Sequence, residues 1–154
     1  MSSTTETNNR TLSLKRTFNA PLKLVWEAWT QPEHIAHWWG PKGMKTDIIE
    51  HDFSVGGRWK YVMLMPDGTV FTSEGVYSEI VALESICSSA NFKPMTSGVE
   101  IQAIFEEAGA KTHFTFHCIH PTEAYCKQQE EMGFYKGWGT VFDGLAHYIG
   151  ELMR

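Results

Sequence analysis

Near Pro121 the apolar pattern of this chain changes period. Upstream of it, short alternating segments are cut by turn residues; downstream, apolar side chains recur every three or four positions as far as Leu152. Period two marks one face of a pleated strand, and a period between three and four marks one face of a helix. The chain must therefore join a run of strands to one terminal helix.

The expected strands are Thr11–Phe18, Lys45–Phe53, Arg58–Met65, Val70–Val81, Glu84–Phe92, Gly98–Glu106 and Lys111–Ile119. Gly56-Gly57, Pro66-Asp67-Gly68-Thr69 and Ala108-Gly109-Ala110 are short turn signals between them, which favours an antiparallel meander. After the first strand, Ala20-Pro21 opens a helix with Leu22, Val25, Trp26 and Trp29 on one stripe. Pro32 opens a second, carrying Ile35 and Trp38 inward and closed by Gly40, Pro41 and Gly43. The C-terminal stripe comprises Tyr125, Gln128, Met132, Tyr135, Trp138, Phe142, Leu145, Ile149 and Leu152, after a start at Pro121-Thr122-Glu123. Gly133, Gly137, Gly139 and Gly144 each cost that helix about 1 kcal/mol relative to Ala. Either the helix bends near Gly133 or its backbone lies close to another element. The fold class is α+β: a curved antiparallel sheet wrapped around the terminal helix, with a cavity wherever the helix leaves the concave side unfilled. Residues 1–10 are expected to be a flexible tail and 11–154 a single domain.

Strand parity assigns the inner face. Trp59, Tyr61 and Met63 oppose Arg58 and Lys60; Phe105 and its neighbours Ile101 and Ala103 oppose Glu100, Gln102 and Glu106; Phe114, Phe116 and Cys118 oppose His113, Thr115 and His117. Met132, Tyr135, Trp138 and Phe142 face them from the helix. Tryptophan stands beside glycine at Trp38-Trp39-Gly40, Gly57-Arg58-Trp59 and Gly137-Trp138, as aromatic walls around a space would require. Ser88, Ser89 and Ala90 leave room that larger residues would fill. Adding Trp38, Trp39, His51, Phe71, Tyr77 and Phe92 completes the candidate ligand-binding set. For most of these residues, plain packing is the competing reading.

A net charge of -5 speaks against a general nucleic-acid binder, which needs a basic surface to displace counterions. Cys87, Cys118 and Cys126 form no CxxC pair and read as small buried hydrophobes in a reducing cytoplasm. The N-terminus lacks the apolar core of a signal peptide, and no apolar run reaches the length of a membrane span.

Chemistry-bearing residues are few. His34 and His37 lie three apart on a short helix, but a catalytic zinc wants three protein ligands, so no metal site is expected. His51 is inward if Ile49, His51 and Phe53 share the inner face; it is then either an acid, base or ligand contact, or a histidine bonded to backbone at the sheet edge. Glu74 is either a cavity carboxylate with a raised pKa or half of a surface ion pair. No phosphate loop, GxSxG or HExxH motif is present. No catalytic residue and no cofactor is assigned, and whether the chain is an enzyme stays open.

Six motifs stand in order: Pro32-Glu33-His34, Trp38-Trp39-Gly40-Pro41-Lys42-Gly43, Glu50-x-Asp52, Gly56-Gly57-Arg58-Trp59, Glu74-Gly75-x-Tyr77-x-Glu79-Ile80 and Met132-Gly133-x-x-x-Gly137-Trp138. Together, from about Leu12 to Leu152, they resemble the family of activators of the ninety-kilodalton heat-shock-protein ATPase and their bacterial homologues, within the START-like (SRPBCC) superfamily. The resemblance implies a helix-grip fold, with a seven-stranded antiparallel sheet around a long C-terminal helix. It also implies a hydrophobic cavity, which in related proteins takes lipids, sterols, hormones or polyketides. The chain departs from the family pattern at Ser54-Val55, at His51 and in Ile86–Phe92. Three functions follow as expectations: non-catalytic binding of a small hydrophobic or amphipathic molecule; a stress-related co-chaperone stimulating a heat-shock ATPase; or a cyclase, hydrolase or isomerase using the same cavity. A homodimer is compatible with each.

Overall fold

The computed structural model describes residues 9–40 and 45–154. Pro41, Lys42 and Gly43 of the Trp-Trp-Gly motif, and residues 1–8 of the expected tail, lie outside the described residues. The strands are β1 (Thr11–Phe18), β2 (Lys45–His51), β3 (Arg58–Leu64), β4 (Val70–Val81), β5 (Ser85–Lys93), β6 (Thr96–Ala108) and β7 (Lys111–Ile119). The helices are α1 (Leu22–Thr30), α2 (Pro32–Trp38), α3 (Glu123–Glu131) and α4 (Phe134–Leu152).

All strands form one seven-stranded sheet in the order β1-β7-β6-β5-β4-β3-β2, every pair antiparallel. β2 to β7 run as a meander because each connection is a short turn. β1 pairs with β7 at the opposite edge from β2, so α1 and α2 carry the chain across the sheet. α1 packs on β6, β7 and α4, and α2 on β2 and α4. Arg10, just before β1, is bonded to the residue that follows β7. The His120 backbone N–H donates to Arg10 O at 2.7 Å, and Arg10 Nη1 donates to His120 O at 2.7 Å.

Register shifts at Ile48/Glu50, Tyr77/Glu79 and Ala90/Phe92 bend the sheet around the helices, as extra residues in one strand do. The first also corrects the expected parity of β2. Ile49 turns out to solvent with 60% exposure, while Ile48 packs against the core. Elsewhere the expected alternation holds: Trp59, Tyr61, Met63, Ile101, Ala103, Phe105, Phe114, Phe116 and Cys118 are all buried.

The terminal helix is two helices. Thr122 Oγ1 caps α3 by accepting from Tyr125 N at 3.1 Å. Gly133, at φ 104°, then breaks the chain before α4. The break resets the helical phase. Phe134, Val141, Phe142, Leu145 and Ile149 turn inward, while Met132 and Tyr135 are 52% and 42% exposed. Tyr135 was expected inside and packs instead on the rim of Phe134. Gln129, not Gln128, is the buried glutamine of α3.

Trp29 is the centre of the core. Its indole lies 4.9 Å from Trp38, 5.1 Å from Phe114 and 6.0 Å from Phe142, centroid to centroid, and it also meets Trp39, Phe105 and Phe116. Tilted and edge-on contacts of this kind suit the aromatic quadrupole. They fill the concave face between α1, β6, β7 and the middle of α4.

Candidate functional site

Filling stops where the two C-terminal helices part. Beside the Gly133 break lies a pocket of ≈ 200 Å³ between α3, α4 and the inner surfaces of β3, β4, β5 and β7. Trp39, Phe71, Phe92, Trp138 and Met63 form its aromatic and sulfur-lined wall, and Met95 and Met132 stand at its mouth. Phe92 and Trp138 meet edge to face at 5.1 Å, and Trp39 and Trp138 at 5.9 Å. Gly40 lies against Met63; a Cβ on Gly40 would come 2.7 Å from the Met63 sulfur.

The polar groups of the pocket hold its walls in place. Trp39 Nε1 donates to Ser73 Oγ at 3.1 Å, and Thr46 Oγ1 donates to Trp39 O at 2.7 Å. Across the mouth, the Thr96 hydroxyl donates to Gln129 Oε1, and Gln129 Nε2 donates to Met95 O at 3.3 Å. Ser97 N donates to the Tyr125 hydroxyl at 2.9 Å. These bonds clasp the β5–β6 turn to α3. At the β7 end, His120 is 1% exposed and its Nδ1 lies 3.0 Å from Arg10 O.

The candidate set divides into four groups. Trp39, Met63, Phe71, Phe92, Met132 and Trp138 line the pocket. Trp59, Tyr61 and Tyr77, with Trp39 again, surround a second void of ≈ 20 Å³, room for about one water. Trp38, Phe105, Phe114, Phe116 and Phe142 belong to the packed core, while His51 and Tyr135 reach neither space. The room expected at Ser88–Ala90 is taken up by the Trp59 indole, whose Nε1 donates to Ser88 Oγ at 2.8 Å. Ser89 faces outward.

His51 is a bridge. Thr30 O lies 2.8 Å from Nε2, so that nitrogen carries the proton; Nδ1, 2.8 Å from the Tyr61 hydroxyl, then accepts from it. Burial pushes the His51 pKa down, which holds the neutral ring this pattern needs. Burial also pushes the Tyr77 phenol up to about 12, and Tyr61 higher still. Glu74 is half of a surface ion pair, 2.9 Å from Lys93 Nζ, and a hydrogen bond from Lys93 pulls its pKa down. His34 Nδ1 bonds the Tyr148 hydroxyl at 2.6 Å, and His37 stacks on the same ring. Among the described residues no cluster of His, Cys, Asp or Glu could hold a metal. Burial pushes the Cys118 thiol up to about 12.

Ser73, Thr96, Cys118, His120 and Gln129 were not among the expected lining residues, yet all line the pocket. Extending the β7 parity of Phe114, Phe116 and Cys118 by one more step reaches His120. Gln129 carried no such signal, because a polar residue on a polar stretch reads as surface.

A curved seven-stranded antiparallel sheet gripping a C-terminal helix, with a pocket between the two, defines a START-like, helix-grip protein. The family model described as "Activator of Hsp90 ATPase homolog 1-like protein" matches residues 19–150, and the chain belongs to that family. No curated protein matches it. Among solved structures it is similar to a Nitrosomonas europaea protein, 27% identical, covering 94% of this chain and 97% of that one, with a TM-score of 0.81. A Mycobacterium smegmatis protein is 20% identical over 95% of this chain and 94% of its own, with a TM-score of 0.84. An AHSA1-like protein from Aeromonas hydrophila is 21% identical over 92% and 93%, with a TM-score of 0.74. Among the described residues, no helix is long and apolar enough to cross a membrane.

Proposed function

We propose that this protein binds a small apolar or amphipathic molecule in the pocket beside Gly133, without transforming it. The carrying observation is the ≈ 200 Å³ pocket itself, walled by Trp39, Phe92 and Trp138 in an otherwise tightly packed interior. Apolar, concave sites with a few convergent polar groups are where small ligands bind. A cyclase, hydrolase or isomerase would have used His51, Glu74 or Tyr61. None of the three lines this pocket, and both ring nitrogens of His51 are engaged.

Native mass spectrometry and thermal melting with a panel of single-ring aromatics, flavonoids, polyketides and fatty acids test the reading. At a ligand concentration of 100 Kd, a one-to-one complex gains about 2.7 kcal/mol of stability. At least one panel member should give that complex and raise Tm. A panel that leaves mass and Tm unchanged throughout overturns ligand binding.

Family membership over residues 19–150 supports a second reading, stimulation of a heat-shock ATPase. Its test is the steady-state ATPase rate of a ninety-kilodalton chaperone with and without this protein. An unchanged rate removes it.

A further inference from the structure

The pocket is polarised from end to end. Met63, Phe71 and Trp39 stand at the β3–β4 end, where the Ser73 hydroxyl is taken up by Trp39 Nε1, and His120 and Gln129 stand at the β7–α3 end. His120 is 1% exposed, and its tautomer follows from its contacts. Arg10 O lies 3.0 Å from Nδ1, and a carbonyl can only accept, so Nδ1 carries the proton and Nε2 presents a lone pair. The Cys118 sulfur lies 3.9 Å from Nε2, the limit of a weak sulfur contact. Gln129 likewise spends one N–H on Met95 O at 3.3 Å and the other on the Met132 sulfur at 3.8 Å.

Size and charge narrow the occupant further. Drug-sized ligands occupy roughly 300–1,000 Å³, and a cavity of about 150 Å³ holds benzene. A pocket of ≈ 200 Å³ therefore suits one substituted ring, and Phe92 and Trp138, packed edge to face, offer it an aromatic corner. Lys93 is the one Lys or Arg along the described lining, and its ammonium is committed to Glu74 at 2.9 Å. A carboxylate entering the pocket would lose its hydration with no free cation among the described lining residues to meet it.

We infer that the pocket selects a neutral, single-ring aromatic molecule carrying one hydroxyl or N–H, and that this group donates to Nε2 of His120. The inference rests on the ligand-binding reading above and adds the chemical class to it. The ring lies against Trp138 and Phe92, and the substituent opposite the donor points toward Met63 and Phe71.

Three near-isosteric probes test it on the full chain by titration calorimetry: p-cresol, p-xylene and the p-toluate anion. A purely apolar cavity prefers p-xylene, because burying an unpaired hydroxyl is costly. An acceptor at His120 reverses that order. We expect p-cresol to bind about tenfold more tightly than p-xylene, the ratio for one buried hydrogen bond, and p-toluate to bind more weakly than either. His120→Phe should bring the two neutral probes within about twofold. In the wild-type protein, p-cresol should also shift the Nε2 resonance of nitrogen-labelled His120, a readout independent of any variant's folding. If p-xylene binds as well as p-cresol or better, or only larger molecules of the panel bind, the His120 inference is overturned while ligand binding stands. If neither the three probes nor the panel bind, both readings fail.

Discussion

At Gly75 the smallest side chain is fixed by its neighbours. A Cβ there would come 2.0 Å from Ser89 O and 2.8 Å from Trp59 Nε1, on a strand already bent by the nearby bulge. Neither neighbour can yield, because one is sheet backbone and the other is an indole bonded to Ser88. Gly75→Ala should therefore destabilise the fold by about 3 kcal/mol, the overpacking cost of a well-filled core, read as a fall in the urea midpoint. A midpoint within error of wild type would show that β4 and β5 can separate locally. His51 shows the other side of the residue scale. Its type and place were visible in the sequence, but whether it would act on a ligand or brace the structure was not. Its partner Thr30 is 21 positions away and brought near by the fold.

The element that matters most is the interrupted C-terminal helix. The glycines of this amphipathic stretch announced an irregularity, and a bend near Gly133 was one of the two readings they allowed; the change of phase behind it was not readable. A continuous helix keeps Met132, Tyr135 and Trp138 on one stripe, whereas the left-handed residue at 133 rotates α4 so that Phe134 and Trp138 turn inward without Tyr135. Two glycines separate conformational from steric roles. Gly133→Ala places a side chain at φ 104° and should cost about 1–2 kcal/mol. Gly150→Ala meets open space within α4 and should stabilise by up to about 1 kcal/mol. Opposite shifts in urea midpoint are expected; shifts of the same sign would mean that Gly133 relaxes into ordinary helix and that the pocket mouth is not held by this break.

Across the whole molecule, burial holds three histidines neutral. His51, His117 and His120 all have pKa values pushed below 6.5, in each case chiefly by desolvation. The unfolded chain protonates them near 6.5, so it binds more protons than the folded chain below that pH. Their contribution is complete above about pH 6.5 and is lost as pH falls through the lower folded values. Asp67 and Glu74 have lowered carboxylate pKa values, so their contributions fade only in more acidic solution. Tm should therefore drop between about pH 7.5 and about pH 5.5, by differential scanning calorimetry, and His51→Gln should flatten the slope. A Tm that is level or rises toward pH 5.5 contradicts the neutral-histidine network.

The sequence alone determined the architecture, because side-chain periodicity and turn chemistry are local properties of successive residues. The meander from β2 to β7, the inner faces of β3, β6 and β7, and the two early helices follow from that local pattern, whereas the pairing of β1 with β7 joins residues about a hundred positions apart and does not. The location of the pocket was decided only in three dimensions. Whether Phe105, Phe114 and Phe116 close into a core or leave a space depends on how Trp29, Trp38 and Phe142 meet them from distant segments. Packing consumed most of the expected cavity and moved what was left to the helix break, where Ser73, His120 and Gln129 meet from three separate elements.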